Sequence, residues 1–178
     1  LQDQMKTVFS VGPSIEYQER ASDSVKYGTI AENPTIEFTI PSLINHEFAP
    51  DGKHVLSATV QYAPYHLRDQ VWSSKLNEQL KNNVVRVLDN YIPDFSSLIE
   101  ATSVLSPKDL ENEFGLTEGN LNHGEMTLDQ FFFMRPTMST AQYKSPIENL
   151  YLCGPGTHPG GGLHGTNGFN AAREILKG

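Results

Sequence analysis

Residues Thr35–Ile40 alternate, with Ile36, Phe38 and Ile40 on one side and Glu37 and Thr39 on the other. This period of two predicts a half-buried strand ended by Pro41. Val55–Tyr62 repeats the pattern, with Leu56, Ala58, Val60 and Tyr62 facing one way and Ser57, Thr59 and Gln61 the other. Ala49-Pro50-Asp51-Gly52-Lys53 between them is turn chemistry, Pro presetting φ and Gly supplying a positive one. One antiparallel sheet with one covered face is expected. The period then changes. Trp72, Leu76, Leu80, Val84 and Leu88 recur every four residues within Asp69–Tyr91, predicting a long helix that covers the sheet and stops at Pro93. Ile99–Leu105 reads as a further strand. Ser106-Pro107-Lys108-Asp109 starts a helix whose buried side is Leu110 and Phe114 and whose end is Gly115.

The remaining stretches are less regular. Residues 1–34 are polar and mixed, broken at Gly12-Pro13, Gly28 and Asn33-Pro34, with a short helix expected only over Asp3–Phe9. Leu116–Met138 is expected to be irregular, and its Phe131-Phe132-Phe133-Met134 run to be core or cavity lining. Ile147–Cys153 reads as a short strand. From Thr166 to Lys177 a helix is expected, with Phe169, Ala172 and Leu176 on its buried face. The fold class is α+β: a mixed or antiparallel sheet covered by helices, followed by a closing strand, glycine loop and helix.

Composition narrows the function. With 38% hydrophobic residues among 178, a packed core is expected. The net charge of −8 argues against a general binder of nucleic acid or anionic membrane, since both need a basic face. No apolar run reaches the roughly 18 residues of a spanning helix. Asp3, Lys6, Glu16, Glu19 and Arg20 are foreign to a secretory leader. The single cysteine, Cys153, excludes an internal disulfide and a cysteine-based zinc cluster, so a reducing, cytoplasmic setting is expected. The first residue is Leu1, and the chain is expected to be a piece of a longer protein.

The chemistry concentrates between Asn149 and Arg173. Seven of the 14 glycines fall between Gly154 and Gly168, a density that lets backbone amides approach a ligand without side chains in the way. A helix N-terminus after such a loop adds partial positive charge and unpaired N–H donors. The pair suits an anion or an electron-rich carbonyl, such as a pyrophosphate or a flavin ring oxygen. Gly154-x-Gly156 opens a dinucleotide fingerprint, but Pro159 stands where its third glycine belongs, and no Gly-Lys-Ser/Thr of a P-loop follows. A glycine-rich turn serving only tight packing is the alternative. His158, His164, and His123 near Glu125 lack the spacing of a metal pair, and no metal is expected. No Gly-x-Ser-x-Gly nucleophile elbow occurs. No acid–base pair stands out, and no catalytic residue is assigned. Cys153 reads as a small buried hydrophobe. Arg135, beside the aromatic run, needs a partner: a carboxylate in the fold or a cofactor phosphate.

The segment SPIENLYLCGPGTHPGGGLHGTNGFNAAREIL closely resembles the C-terminal signature of the phytoene desaturase-like family of FAD-dependent oxidoreductases. IPSLINHEFAPDGKHVLSATVQYAPY resembles the strand–turn–strand of that family's substrate domain. SPKDLENEFGLTEGNLNHGEM and DQFFFMRP resemble the stretch leading back to its flavin domain. Cys153, the Gly160-Gly161-Gly162 triplet and Asn170-Ala171-Ala172-Arg173 resemble the pyridine nucleotide-disulfide oxidoreductase-like branch most. The resemblance covers roughly residues 30–178.

What this resemblance implies is a two-part organisation. Residues 1–146 would belong to the substrate domain and the return segment, and 147–178 would contact FAD. The Rossmann half that holds the ADP moiety would be absent, leaving this piece inactive alone. Gly154, Gly156, Thr157, His158, Gly161, Gly162, Leu163 and Thr166 would line the flavin, with the helix from Thr166 aimed at the isoalloxazine. The substrate would be an apolar small molecule, guessed to lie against Tyr62, Tyr65, Phe132 and Met134, and to lose a hydride to the flavin. A redox-neutral isomerase and a non-enzymatic module binding an anion or protein partner are the rival readings. A dimer through surface bared by truncation is expected only as an artefact.

Overall fold

A computed structural model describes residues 5–177. The chain divides into two compact units, Leu1–Ser106 and Pro107–Gly178.

The first unit holds three strands, β1 (Phe9–Val11), β2 (Thr35–Thr39) and β3 (Ser57–Gln61), in the order β1-β2-β3 and antiparallel throughout. Ile36 pairs with Val11 on one side and Val60 on the other, and Phe38 pairs with Phe9 and Ala58. The predicted alternation of β2 is realised: Ile36 and Phe38 are buried and Glu37 is exposed. β3 departs from its prediction, because Ala58 is exposed and Val60 only half-buried. It is an edge strand with little cover.

Among the described residues this unit also has three α-helices, α1 (Ile15–Lys26), α2 (Ser74–Asp89) and α3 (Phe95–Leu98), and two short 3-10 turns. On α2 the four-residue stripe works as expected. Leu76, Leu80 and Leu88 are buried, and Val87 joins them. Val87 and Leu88 form one core cluster with Val11, Ile36 and Phe38, while Leu76 and Leu80 form a second with Ile30. Each such side chain contributes about 1.5–3 kcal/mol by leaving water. The helix begins later than predicted. Trp72 precedes it and donates its indole N–H to the Pro64 carbonyl at 3.0 Å.

Local expectations that leaned on polarity need correcting. α1 lies where only breakers were visible. Its Ser14 N-cap accepts from the Tyr17 amide at 3.1 Å, which satisfies an orphan N–H, and the Tyr17 hydroxyl donates to Pro34 O at 2.9 Å. The helix expected over Asp3–Phe9 lies partly outside the described residues, and Phe9 opens β1 instead. Ile99–Leu105 joins no ladder among the described residues, so it is not a strand.

The second unit contains α4 (Pro107–Phe114), α5 (Thr166–Lys177) and, between them, mostly irregular chain, as expected. Gly115 follows α4 with φ +69°, the left-handed cap that glycine supplies. The strand predicted at Ile147–Cys153 shrinks to one antiparallel bridge, Lys144 to Tyr151. Among the described residues no helix is long and apolar enough to cross a membrane.

Candidate functional site

The glycine loop is built from both ends toward its middle. On its N-terminal side, the Lys144–Tyr151 bridge is closed by Leu152 N–H donating to Tyr143 O at 2.7 Å and Ser145 N–H to Leu150 O at 3.0 Å. This delivers Gly154 to the loop entrance. Thr157 then folds back, its amide and hydroxyl both donating to Gly154 O at 3.0 and 2.9 Å. Gly160 N–H donates to Thr157 O at 2.7 Å.

On the C-terminal side, Asn167 in the first turn of α5 holds the loop. Its Nδ2 group lies 2.8 Å from Gly154 O, 2.9 Å from Thr157 O and 3.2 Å from Gly160 O. Two protons serve these carbonyls, so the contacts are shared. Asn167 and Thr157 are both buried. Asn170, one turn on, donates to the Tyr143 hydroxyl at 2.8 Å, which itself donates to His158 O at 2.8 Å.

A third tie comes from below the loop. Arg135 is 1% exposed. Its Nε and Nη2 donate to Pro155 O at 3.1 and 2.8 Å, and Nη2 also donates to Asn122 O at 2.6 Å. Neither partner is a carboxylate. Nη1 is buried without a hydrogen-bond partner.

The face left open is a cleft of about 470 Å³ lined by four glycines, Gly154, Gly162, Gly165 and Gly168, together with Cys153, Pro155, Leu163 and Asn167. A Cβ placed on Gly154, Gly165 or Gly168 would meet nothing within 4 Å, so at these three positions bare backbone faces open space. The opening amides of α5 have no intrahelical partner. Thr166 N–H is taken by His164 Nδ1 at 3.1 Å, leaving Asn167 and Gly168 at the cleft with helix-terminal donors. Gly161 is glycine for another reason: its Cβ would stand 1.8 Å from Asn122 Oδ1.

A second cleft, of about 390 Å³, is lined by Phe132, Phe133, Tyr143, His158, Glu174 and Lys177. The Phe132 and His158 ring centres are 6.0 Å apart. Lys177 hydrogen-bonds Glu174 and holds its carboxyl below the usual carboxylate value.

The predicted site residues therefore separate. Gly154, Gly162 and Leu163 line the first cleft. Thr157 lies buried beneath the loop, His158 faces the second cleft, and Thr166 opens α5. Gly161 packs on Asn122, and a Cβ on Gly156 would come 3.8 Å from His123 Cβ. Of the residues guessed to meet substrate, Tyr62 and Tyr65 are half-buried in the first unit, while Phe132 and Met134 belong to the second. The aromatic run is not core: Phe132 and Phe133 are exposed and line the second cleft.

Two expectations are overturned. Cys153 is exposed, not buried, because the chain leaves the bridge just before it. The Phe169, Ala172 and Leu176 face of α5 is exposed, and Asn167 and Ala171 are buried instead. Asn167 escaped the sequence reading because periodicity counts apolar positions and the helix is anchored by a polar one. Among the described residues no group of three or more His, Cys, Asp or Glu side chains could hold a metal ion.

No family model matches the chain. Individual proteins do. Pyridine nucleotide-disulfide oxidoreductase domain-containing protein 2 of Rattus norvegicus is 40% identical over 159 residues, 89% of this chain and 27% of the relative. The 4,4'-diapophytoene desaturase (4,4'-diaponeurosporene-forming) of Staphylococcus aureus is 29% identical over 142 residues, 76% of this chain and 27% of the desaturase. A limonene dehydrogenase component of Castellaniella defragrans is 35% identical over 62 residues, 35% of this chain and 11% of that protein. These are oxidoreductases by name, and the chain belongs to the phytoene desaturase-like oxidoreductase family they represent. It spans about a quarter of the length of the first two relatives.

Proposed function

We propose that the chain is the C-terminal part of an FAD-dependent oxidoreductase and that the Gly154–Gly168 cleft is one wall of its flavin site. The observation that carries this is the open backbone at Gly154, Gly165 and Gly168 in the cleft at the opening of α5. A flat ring can lie against bare backbone, and its carbonyl edge can meet the helix-terminal amides of Asn167 and Gly168. The buried Nη1 of Arg135, lacking a partner, fits a site that takes up negative charge. Residues 1–146 would contribute to the substrate domain and the return segment, and the ADP moiety would be held by a part of the protein outside this chain.

When bound, the flavin supplies the redox chemistry as a two-electron acceptor of hydride from an apolar substrate. The chain's own residues hold and orient. Asn167 keeps the Gly154, Thr157 and Gly160 carbonyls gathered behind the wall, so that the amide edge stays forward. The partial positive charge at the α5 N-terminus would suit a bound group that gains negative charge on reduction. Tyr62 and Tyr65 in the first unit, and separately Phe132 and Met134 in the second, are proposed to meet an apolar substrate. The exposed Cys153 thiol suits a reducing compartment, and the cytoplasm is the proposed location.

The test is the visible spectrum of the full-length protein as purified, beside this chain mixed with FAD. A flavin spectrum in the first and none in the second supports a site shared with the remaining chain. No flavin in the full-length protein, even after FAD is added, refutes the oxidoreductase assignment and leaves an anion-binding or purely structural turn.

A further inference from the structure

We infer that Arg135 is a positioning residue for the glycine loop and the fixed positive charge behind it, an inference that rests on the flavin reading above. The guanidinium is almost fully buried, yet three of its hydrogen bonds go to the neutral carbonyls of Pro155 and Asn122. Among the described residues no carboxylate pairs with it, and Nη1 has no partner. A buried cation without a counter-charge is costly, and apolar side chains of similar volume commonly fill such positions without loss. Such a charge, bonded to the carbonyl of the cleft residue Pro155, makes sense when negative charge arrives there.

The geometry gives it a second effect. Nε and Nη2 converge on Pro155 O from a planar fork, which a single lysine ammonium cannot reproduce. The Pro155–Gly156 peptide is trans, since it is not among the cis bonds of the described residues. A trans peptide directs its C=O and N–H oppositely. Holding Pro155 O toward Arg135 therefore turns the Gly156 N–H away from the guanidinium. Asn122, the other carbonyl partner, also supplies the side chain that closes on Gly161. Arg135 thus sets two points of the loop from one buried site.

The experiment compares the full-length protein with Arg135→Met and Arg135→Lys. It measures the FAD dissociation constant, the two-electron midpoint potential of bound flavin, and amide hydrogen exchange at Thr157 and Gly160. Arg135→Met should weaken FAD at least tenfold, and should weaken reduced flavin about tenfold more than oxidised, a potential shift of about −30 mV for a two-electron couple. Arg135→Lys should restore the potential toward wild type while FAD affinity stays weakened, because charge returns and the fork does not. Exchange at Thr157 and Gly160 should quicken in both variants, with or without FAD. Unchanged affinity, potential and exchange in a folded Arg135→Lys and Arg135→Met pair overturns the proposal. Weakened FAD binding with an unchanged potential in Arg135→Met overturns its electrostatic half. If Arg135→Met does not fold, Arg135→Lys decides: wild-type affinity and exchange overturn the positioning role. A wild-type protein without flavin refutes the functional reading instead, and the exchange rates still judge whether Arg135 holds the loop.

Discussion

The Asn167 side chain reaches from the first turn of α5 to the Gly154 carbonyl at 2.8 Å, so the start of the glycine loop is pinned by the helix that ends it. The same amide group approaches Thr157 O and Gly160 O. A loop this rich in glycine is entropically expensive to order, and one buried amide supplies much of the order. Asn167→Ala would leave these carbonyls with fewer donors and is expected to destabilise the protein by about 1–3 kcal/mol. Asn167→Asp should be worse, since an ionised carboxylate turns acceptor atoms toward acceptors. Thermal unfolding of the two variants checks the order, and retained wild-type melting in Asn167→Asp contradicts the hub.

Much of the first unit is legible in the sequence because its contacts are apolar and periodic. Leu76, Leu80 and Leu88 declare α2, and Ile36 and Phe38 declare β2, with no need of distant partners. The failures are of two physical kinds. Ile147–Cys153 has strand composition, but a strand exists only where a neighbour offers backbone partners, and here only Tyr143 and Ser145, which flank Lys144, do so, for Leu152 and Leu150. α1 has strong capping yet buries only Ala21 among its described residues, so no apolar stripe advertises it. At the candidate site, glycine spacing marks the Gly154–Gly168 loop but not the side chains that hold it. Asn167 and Arg135 act through carbonyls, a class of contact that leaves no periodic trace.

Gly161 and Asn122 form a close-packed pair whose test is a double variant. A methyl at Gly161 would collide with Asn122 Oδ1, since the added carbon would lie 1.8 Å away. Gly161→Ala should therefore cost about 1–3 kcal/mol, the usual penalty of overpacking. Adding Asn122→Ala removes the obstacle and should recover most of the loss. Additive unfolding free energies would show that the two residues do not meet.

The Tyr143 hydroxyl links the bridge segment to α5 by receiving from Asn170 and donating to His158 O. Tyr143 is itself buried, so removing its hydroxyl strands two polar groups. Tyr143→Phe should lower stability by about 1–3 kcal/mol without changing the secondary-structure content. Circular dichroism and thermal melts measure both, and an unchanged melting temperature contradicts the link.

Tyr17 gives a pH prediction in the first unit. Burial, followed by the nearby Tyr91, raises its pKa above 10.0, while Arg86 acts in the opposite direction. The folded state therefore holds the phenol proton more tightly than the unfolded state. The stability this confers is fully present below the unfolded value and is lost as pH rises through the folded one. Above pH 10 the folded chain should lose stability with a component that Tyr17→Phe abolishes. That variant also loses the 2.9 Å bond to Pro34 O, so it should start less stable at neutral pH and converge on wild type in alkali. Urea unfolding at pH 7 through 11 measures the difference. A constant gap across the series would mean that Tyr17 titrates alike in both states.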